Sequence, residues 1–278
     1  MFKLRNFVDK IYCINIHSRP DRWERIQETL KKLDIADITE RVDAVEPKDV
    51  LKVLPEYSDL RFAHSEIMSK IMEEYDVTFS VKQINEIMNY TVNKFSKEHF
   101  LNLSIMIQKE YANKFSFANA MQKGLDVGAE KVLILEDDVK ILYKGSDINE
   151  KIAKRLEIIE TVHDGWELIY LGGYFRSAIH KKENIIRLKG EIGGAHAIIY
   201  KKRVMNDFIS DAKMCLHKQK PTCSTDNYLH AMFKKYPAFC IYPIMLSQLG
   251  DHNSMHETIE STMVRLEKMS EDNLNAGR

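Results

Sequence analysis

The sequence contains no long apolar run, and no segment approaches the ~18 consecutive apolar residues that a membrane helix needs. It also lacks an excess of either charge, because 41 Lys and Arg residues balance 41 Asp and Glu residues, and no basic field is left to hold a nucleic acid. No Cys-x-x-Cys pair occurs, so we expect no zinc knuckle but reduced, mostly buried thiols at Cys13, Cys215, Cys223 and Cys240. These absences predict a globular, cytoplasmic protein with no transmembrane segment and no nucleic-acid partner.

The chain does have enough apolar material for a substantial core. Its 278 residues are 44% hydrophobic and 9% aromatic, which suffices for one large core or two smaller ones. Residues 46–110 differ from the rest, because they hold many charges, few strand patterns and apolar residues at helical spacing. We therefore expect a single domain over residues 1–278, with a helical insertion at about 46–110.

Outside this insertion, strand and helix patterns alternate. "KIYCINI" is a continuous apolar run typical of a strand covered on both faces, and Pro20 then begins an amphipathic helix with Trp23, Ile26 and Leu30 at spacings of three and four. "ITERVDAV", "KVLILEDDV" and "WELIYLGG" supply further strands, separated by helical stretches. The alternation predicts an α/β fold with a mainly parallel, Rossmann-type sheet, in which ligands bind at the carboxyl ends of strands.

Three adjacent acids, Glu136, Asp137 and Asp138, interrupt the apolar run "KVLILEDDVKIL" where the strand is expected to end. Like charges beside a buried strand repel one another and resist desolvation, so they require a cation or water. Glu136 and Asp138 flank one residue, and this spacing allows both carboxylates to reach a single Mn²⁺ or Mg²⁺ ion that also holds a diphosphate. The alternative is a solvated acidic turn.

Six blocks together resemble glycosyltransferase family 25, which includes lipopolysaccharide sugar transferases and collagen galactosyltransferases. In chain order they are "IYCINIHSRPDRWERI", "VLILEDDV", "WELIYLGG", "GGAHAIIYKKRV", "STDNYLHAMF" and "YPIMLSQLGDHNS". The resemblance covers residues 10–45 and 110–255. It implies a GT-A-like fold and a metal-dependent enzyme that transfers galactose or glucose from a UDP-sugar, with inversion, to a glycan or to a hydroxylated protein.

The resemblance places the nucleotide near the first block. Asn15, Arg19 and Arg22 become candidates for binding the base or diphosphate, although both arginines could instead solvate the first turn of the helix. His196 lies between two glycines and an apolar strand, where substrate could approach, or it is a hydrogen-bonded core residue.

The acidic cluster corresponds to the family's metal and nucleotide motif. Glu136 and Asp138 are the metal candidates, and Asp137 is expected to face the ribose. GT-A enzymes often complete the metal site with a histidine near the C-terminus, which indicates His252, with His256 as a competitor.

Asp226 is the candidate base that takes the proton of the acceptor hydroxyl, and Glu191 is its substitute. Asp226 is also expected in the first turn of a helix, where it would complement the helix dipole without any catalytic role.

One segment departs from the family pattern. Family members commonly have Gly-Glu-x-Gly-Cys followed by Ser-His, whereas this chain retains only Glu110 and Ser116 of that pattern. This departure bears on donor specificity and on activity. Two other functions compete with the transferase. One is a catalytically silent GT-A-like module that binds glycan or protein, and the other is a Mg²⁺-dependent phosphoryl-transfer enzyme, for which the sequence offers no phosphate-binding loop.

Overall fold

The computed structural model describes residues 3–53, 97–163, 165–175, 181–182, 184–189, 192–216 and 224–248. Most of the predicted helical insertion at about 46–110 lies outside these ranges, and helices occupy its two described borders.

The described elements alternate as the sequence predicts. They are α1 (Leu4–Phe7), β1 (Lys10–Asn15), α2 (Pro20–Lys32), β2 (Thr39–Asp43), α3 (Pro47–Val53), α4 (Lys97–Asp126), β3 (Lys131–Glu136), β4 (Val139–Ile141), α5 (Ile148–Val162), β5 (Leu168–Tyr170), β6 (Tyr174–Phe175), β7 (Lys181–Lys182), β8 (Ile185–Leu188), β9 (Ile192–Gly193), β10 (Ala197–Lys201), α6 (Lys202–Leu216), α7 (Thr225–Met232), β11 (Ala238–Ile241) and β12 (Leu246–Gln248).

Eight strands form the central sheet in the order β2-β1-β3-β10-β5-β11-β8-β7. Strand β1 is parallel to β2 and β3, and β5 is parallel to β11. Strand β10 is antiparallel to both β3 and β5, so it is the reversed strand within an otherwise parallel group of six. The α/β fold with a mainly parallel sheet is therefore confirmed.

Helices cover both faces of this sheet, which explains why its central strands are continuous apolar runs. In β3, Val132 and Ile134 belong to the core cluster that includes Phe117 of α4 and Phe208 of α6. The intervening residues of β3 belong to the other core cluster, which includes Ile26 and Leu30 of α2, Ile152 of α5 and Trp166. Successive strand residues point to opposite faces, so one strand supports two cores.

Helix α2 follows the predicted pattern. Pro20 is its first residue, Ile26 and Leu30 are its buried residues, and Leu33 is a buried C-cap. This amphipathic helix connects β1 to the parallel strand β2, and it brings the loop that contains Arg19 to the sheet edge where β1 ends. We call this edge, where β1, β2 and β3 end, the carboxyl edge.

A small antiparallel sheet extends the structure at the carboxyl edge. Strand β4 follows the acidic cluster and pairs with β12, so that Val139 lies opposite Gln248. Gly172, just after β5, forms a bridge with Leu246 of the same β12. These pairings fix β12 beside the end of β3.

Two further expectations bear on the described residues. Cys13, Cys215 and Cys240 are buried free thiols, as predicted, and Cys223 lies outside the described residues. Among the helices that the structure describes, none is both long enough and apolar enough to cross a membrane.

Candidate functional site

The acidic cluster begins at the last residue of β3, on the carboxyl edge. The backbone N–H of Glu136 donates to the carbonyl of His196 at 2.9 Å, which links the end of β3 to the residue just before β10. Asp137 and Asp138 are buried, with 5% and 8% of their surface exposed. The alternative of a solvated acidic turn does not describe these side chains, because burying a carboxylate requires compensating partners.

Asp137 connects the cluster to the predicted nucleotide side. Its two carboxylate oxygens accept hydrogen bonds from Asn15 Nδ2 at 2.5 Å and from Arg22 Nη1 at 3.1 Å. Asn15 Nδ2 also donates to the carbonyl of Arg19 at 3.2 Å. Asp137 thus fixes the loop between β1 and α2 against the end of β3, while its expected role at a ribose stays a prediction.

Arg19 is oriented differently from Arg22. Its guanidinium donates to the carboxylate of Asp21 at 2.9 and 2.8 Å, and this hydrogen bonding lowers the pKa of Asp21 to about 2. The side chain is 37% exposed, whereas that of Arg22 is 16% exposed beside the acidic cluster. Of the two predicted arginines, Arg22 therefore lies closer to the buried part of the site.

Glu136 is held by a short chain of side chains from two helices. Asn113 of α4 donates from Nδ2 to Glu136 Oε1 at 2.9 Å. The Oδ1 atom of Asn113 accepts a hydrogen bond from the hydroxyl of Thr225, in the first turn of α7, at 2.6 Å. The carboxylate of Glu136 is thereby fixed relative to α7, the helix that contains Asp226.

Glu136 and Asp138 converge on one group, the side-chain amide of Gln248. Gln248 Nε2 lies 3.0 Å from Asp138 Oδ2 and 3.4 Å from Glu136 Oε2. Among the described residues, the other oxygen of Asp138, Oδ1, is buried without a hydrogen-bond partner. The two carboxylates therefore face a common point, while the binding of a metal ion by this pair stays a prediction.

Burial raises the pKa of both carboxyl groups. The pKa of Glu136 rises to about 8, chiefly through desolvation and then through the negative charge of Asp138. The pKa of Asp138 rises to about 6, again chiefly through desolvation. Both shifts arise chiefly from the loss of water around the carboxylates, so ionising them is costly unless a positive charge lies close by.

A cavity of about 340 Å³ opens next to Glu136. It is lined by Lys109, Glu110, Asn113, Glu136, Gly194, Ala195, Ser224, Thr225, Asp226 and Gln248. Asp226 lies in the first turn of α7, and its Oδ2 accepts a hydrogen bond from the backbone N–H of Gly194 at 3.4 Å. Its charge contributes to the raised pKa of Glu136, so the two carboxylates face the same cavity.

His196 is a core residue rather than a lining residue of this cavity. It is 1% exposed, and desolvation lowers its pKa to about 4, so its imidazole is neutral at pH 7. A hydrogen bond with the backbone of Leu246 opposes this shift only in part. Its expected contact with the nucleotide stays a prediction.

Two predicted site residues, Glu191 and His252, lie outside the described residues, as does His256. Within the described ranges, no three His, Cys, Asp or Glu side chains form a group that could hold a metal ion.

Three residues of the site were missed by sequence reasoning, namely Asn113, Thr225 and Gln248. Asn113 and Gln248 each contact an acid more than 20 positions away, and Thr225 contacts Asn113, but nothing local in the sequence indicates these partners. Of the two residues retained from the family pattern, Glu110 lines the cavity, and Ser116 Oγ accepts from the Val45 N–H at 2.8 Å.

The protein groups at the acidic pair suit a hard divalent cation. Glu136 and Asp138 offer carboxylate oxygens, the ligands that Mn²⁺ and Mg²⁺ prefer. The unpartnered Asp138 Oδ1 and the two raised pKa values are the features expected where a cation belongs.

No protein-family model matches the chain, and no curated protein matches it. Solved structures similar to it include a UDP-glucose pyrophosphorylase complexed with UDP-glucose, at 10% identity and a TM-score of 0.37, covering 93% of this chain and 99% of that chain. Another is a mannose-1-phosphate geranyltransferase from Thermus thermophilus, at 13% identity and a TM-score of 0.30. The match to the latter covers 46% of this chain and 49% of that protein. At these values the likeness supports no functional argument, and the fold class follows from the chain's own sheet.

Proposed function

We propose that this protein is a metal-dependent glycosyltransferase that moves a hexose, galactose or glucose, from a UDP-sugar to a hydroxyl of a glycan or protein. The central observation is that half-buried Glu136 and buried Asp138 converge on one point at the carboxyl edge, and that Glu136 lines a cavity with Asp226. The resemblance to glycosyltransferase family 25 supports the same reaction.

On the donor side, the nucleotide diphosphate lies near the loop between β1 and α2. Arg22 contributes positive charge there, and its bond to Asp137 holds the guanidinium at the end of β3. Asn15, which is 1% exposed, fixes the same loop through the Arg19 carbonyl. These contacts orient the loop before substrate binds, which reduces the entropy lost on binding.

Glu136 and Asp138 would hold Mn²⁺ or Mg²⁺, with His252 as a further candidate ligand. When bound, the ion stabilises the negative charge that develops on the departing UDP. Asn113 and Thr225 keep the Glu136 carboxylate oriented towards the cavity.

Asp226 acts as the general base. The acceptor oxygen attacks the anomeric carbon, its proton passes to the Asp226 carboxylate, and the bond to the UDP oxygen breaks with its electron pair leaving on UDP. Asp226 lies in the first turn of α7 and lines the cavity into which an acceptor hydroxyl could enter. A single displacement of this kind inverts the anomeric configuration.

The test is release of UDP from UDP-glucose and UDP-galactose in the presence of Mn²⁺, with and without glycan acceptors. We expect one donor to be consumed, and we expect D226N to lower kcat by about 10²–10⁴-fold. E150Q is the matched control, because Glu150 lies in the first turn of α5 and tests the helix-dipole effect alone.

Equal losses in D226N and E150Q would contradict the base assignment. No turnover of either UDP-sugar, together with binding of a glycan to the intact chain, would instead favour the silent module.

A further inference from the structure

Gln248 occupies a position in the fold that local sequence does not reveal. It is the last residue of β12, and it lies opposite Val139 in the pairing of β12 with β4. Val139 directly follows Asp138, so the sheet register brings the Gln248 side chain to the acidic pair. The same side chain lines the cavity that Asp226 faces.

The amide of Gln248 stands between the two carboxylates. Its Nε2 donates to Asp138 Oδ2 at 3.0 Å and lies 3.4 Å from Glu136 Oε2. An amide N–H carries only a partial positive charge, so it satisfies hydrogen bonds without neutralising two buried acids. Asp138 is 8% exposed, and its Oδ1 atom has no hydrogen-bond partner among the described residues. One buried carboxylate oxygen is therefore still unsatisfied.

The other polar atom of the amide, its carbonyl oxygen Oε1, is suited to bind a cation. A half turn about its terminal torsion exchanges Nε2 and Oε1, and this places a hard carbonyl oxygen where the N–H donor now lies. Two carboxylates and one neutral amide oxygen carry a total charge of −2, which matches one divalent ion.

We propose that Gln248 is a third protein ligand of the divalent cation, through Oε1, and that in the metal-free protein its Nε2 takes the place of the ion between Glu136 and Asp138. The inference rests on the cation of the proposed function. It adds a ligand that the sequence did not indicate. Binding of the ion by Gln248 does not depend on any residue after position 248.

The test is a titration of the full chain with Mn²⁺ alone, in which the free ion is measured by electron paramagnetic resonance. We expect Q248A to weaken Mn²⁺ binding about tenfold or more, since even partners of metal ligands contribute that much. Q248E keeps an oxygen ligand and adds a charge, so we expect it to bind at least as tightly as the wild-type protein. Q122A is the matched control, because Gln122 likewise donates to an aspartate, Asp126, at 2.8 Å on the exposed face of α4.

If Q248A bound Mn²⁺ as tightly as the wild-type protein, or more tightly, the proposal would be overturned. The amide would then only compete with the ion for the two carboxylates. Absence of Mn²⁺ binding in the wild-type protein would overturn it as well. If Q248A unfolds, the comparison of Q248E with wild type decides, and weaker binding by Q248E contradicts an oxygen ligand. The readout needs no UDP-sugar, so a missing transferase activity with an intact Q248A effect would contradict the proposed function alone.

Discussion

At the scale of single residues, Glu136 is the most informative group in the molecule. It ends a buried strand, hydrogen-bonds to Asn113, and faces two other carboxylates, Asp138 and Asp226. A carboxyl group in this setting lowers the stability of the fold when it ionises, unless a cation lies beside it.

The pH dependence of stability should report this directly. The folded-state pKa of Glu136, about 8, lies above its ordinary value of 4.5, so the folded chain retains a proton that the unfolded chain releases. The stabilisation is therefore complete below about pH 4.5 and is lost as the pH rises through 8. Asp138 adds a change of the same sign up to its pKa of about 6.

We predict that E136Q, which cannot ionise, is more stable than the wild-type protein at pH 8.5 without metal, by about 1–2 kcal/mol in the free energy of unfolding. Urea unfolding at pH 5 and pH 8.5 measures it, with E157Q on the exposed face of α5 as control. If the free energy of unfolding of the wild-type protein rose from pH 5 to pH 8.5, and that of E136Q rose equally, the raised pKa of Glu136 would be contradicted.

The sequence could predict the acids of the site but not their partners. The run "KVLILEDDVKIL" indicates that acids end a buried strand, because a change from apolar to acidic residues is a local signal. Asn113 of α4 and Gln248 of β12 contact Glu136, and Thr225 of α7 contacts Asn113, only because those elements pack together. Hydrogen bonds between distant elements leave no pattern in a single sequence.

At the scale of elements, a buried ion pair joins the helices that flank the site. Lys114 of α4 is 0% exposed, and its Nζ lies 2.5 Å from Asp211 Oδ2 of α6. The same ammonium lies 3.9 Å from the centre of the Tyr228 ring in α7, which adds a cation–π contact. Lys114 is thus the neighbour of Asn113 and ties together the three helices on one face of the sheet.

We predict that K114M alone lowers the free energy of unfolding by about 3–5 kcal/mol, because it removes the buried cation that pairs with Asp211. The double variant K114M/D211L removes both charges and should recover most of this loss. Urea unfolding at pH 7 measures both. A double variant as unstable as K114M would show that the loss arises from packing rather than from the broken ion pair.

Strand β12 reaches the acidic pair because Gly172 leaves room for it. A Cβ atom at Gly172 would lie 2.0 Å from the carbonyl oxygen of Leu246, which is a backbone atom and cannot yield without moving the strand. The close approach of the two backbones therefore requires glycine at this position.

We predict that G172A costs about 1–3 kcal/mol in stability and weakens Mn²⁺ binding, because it displaces β12 and with it Gln248. G165A is the control: Gly165 has a φ of +80° but open space around it, so it should cost stability and leave Mn²⁺ affinity unchanged. Chemical denaturation and the Mn²⁺ titration measure the two effects. Equal Mn²⁺ affinity in both variants would contradict the role of Gly172.

At the scale of the whole molecule, the predicted and the observed architecture agree where local periodicity is strong. The runs of β1, β3 and β5 and the amphipathic pattern of α2 each predict their element, and their alternation predicts the parallel sheet. The reversed direction of β10 was not predictable, because "AIIYK" has the same buried pattern in either orientation. Direction depends on the path of the chain, which a local pattern does not encode.

The central claim is that the acidic pair binds a divalent cation that in turn binds UDP. The most direct measurement is the dissociation constant of UDP, determined by calorimetric titration with and without Mn²⁺, for the wild-type protein, D138N and D43N. Asp43 ends the parallel strand β2 on the same edge, and its side chain is 68% exposed, so D43N controls for loss of a negative charge there.

We predict that Mn²⁺ tightens UDP binding about tenfold or more, equivalent to about 1.4 kcal/mol, in the wild-type protein and in D43N, and that D138N loses this effect. UDP binding that is independent of Mn²⁺, or an equal Mn²⁺ effect in D138N, would contradict the claim.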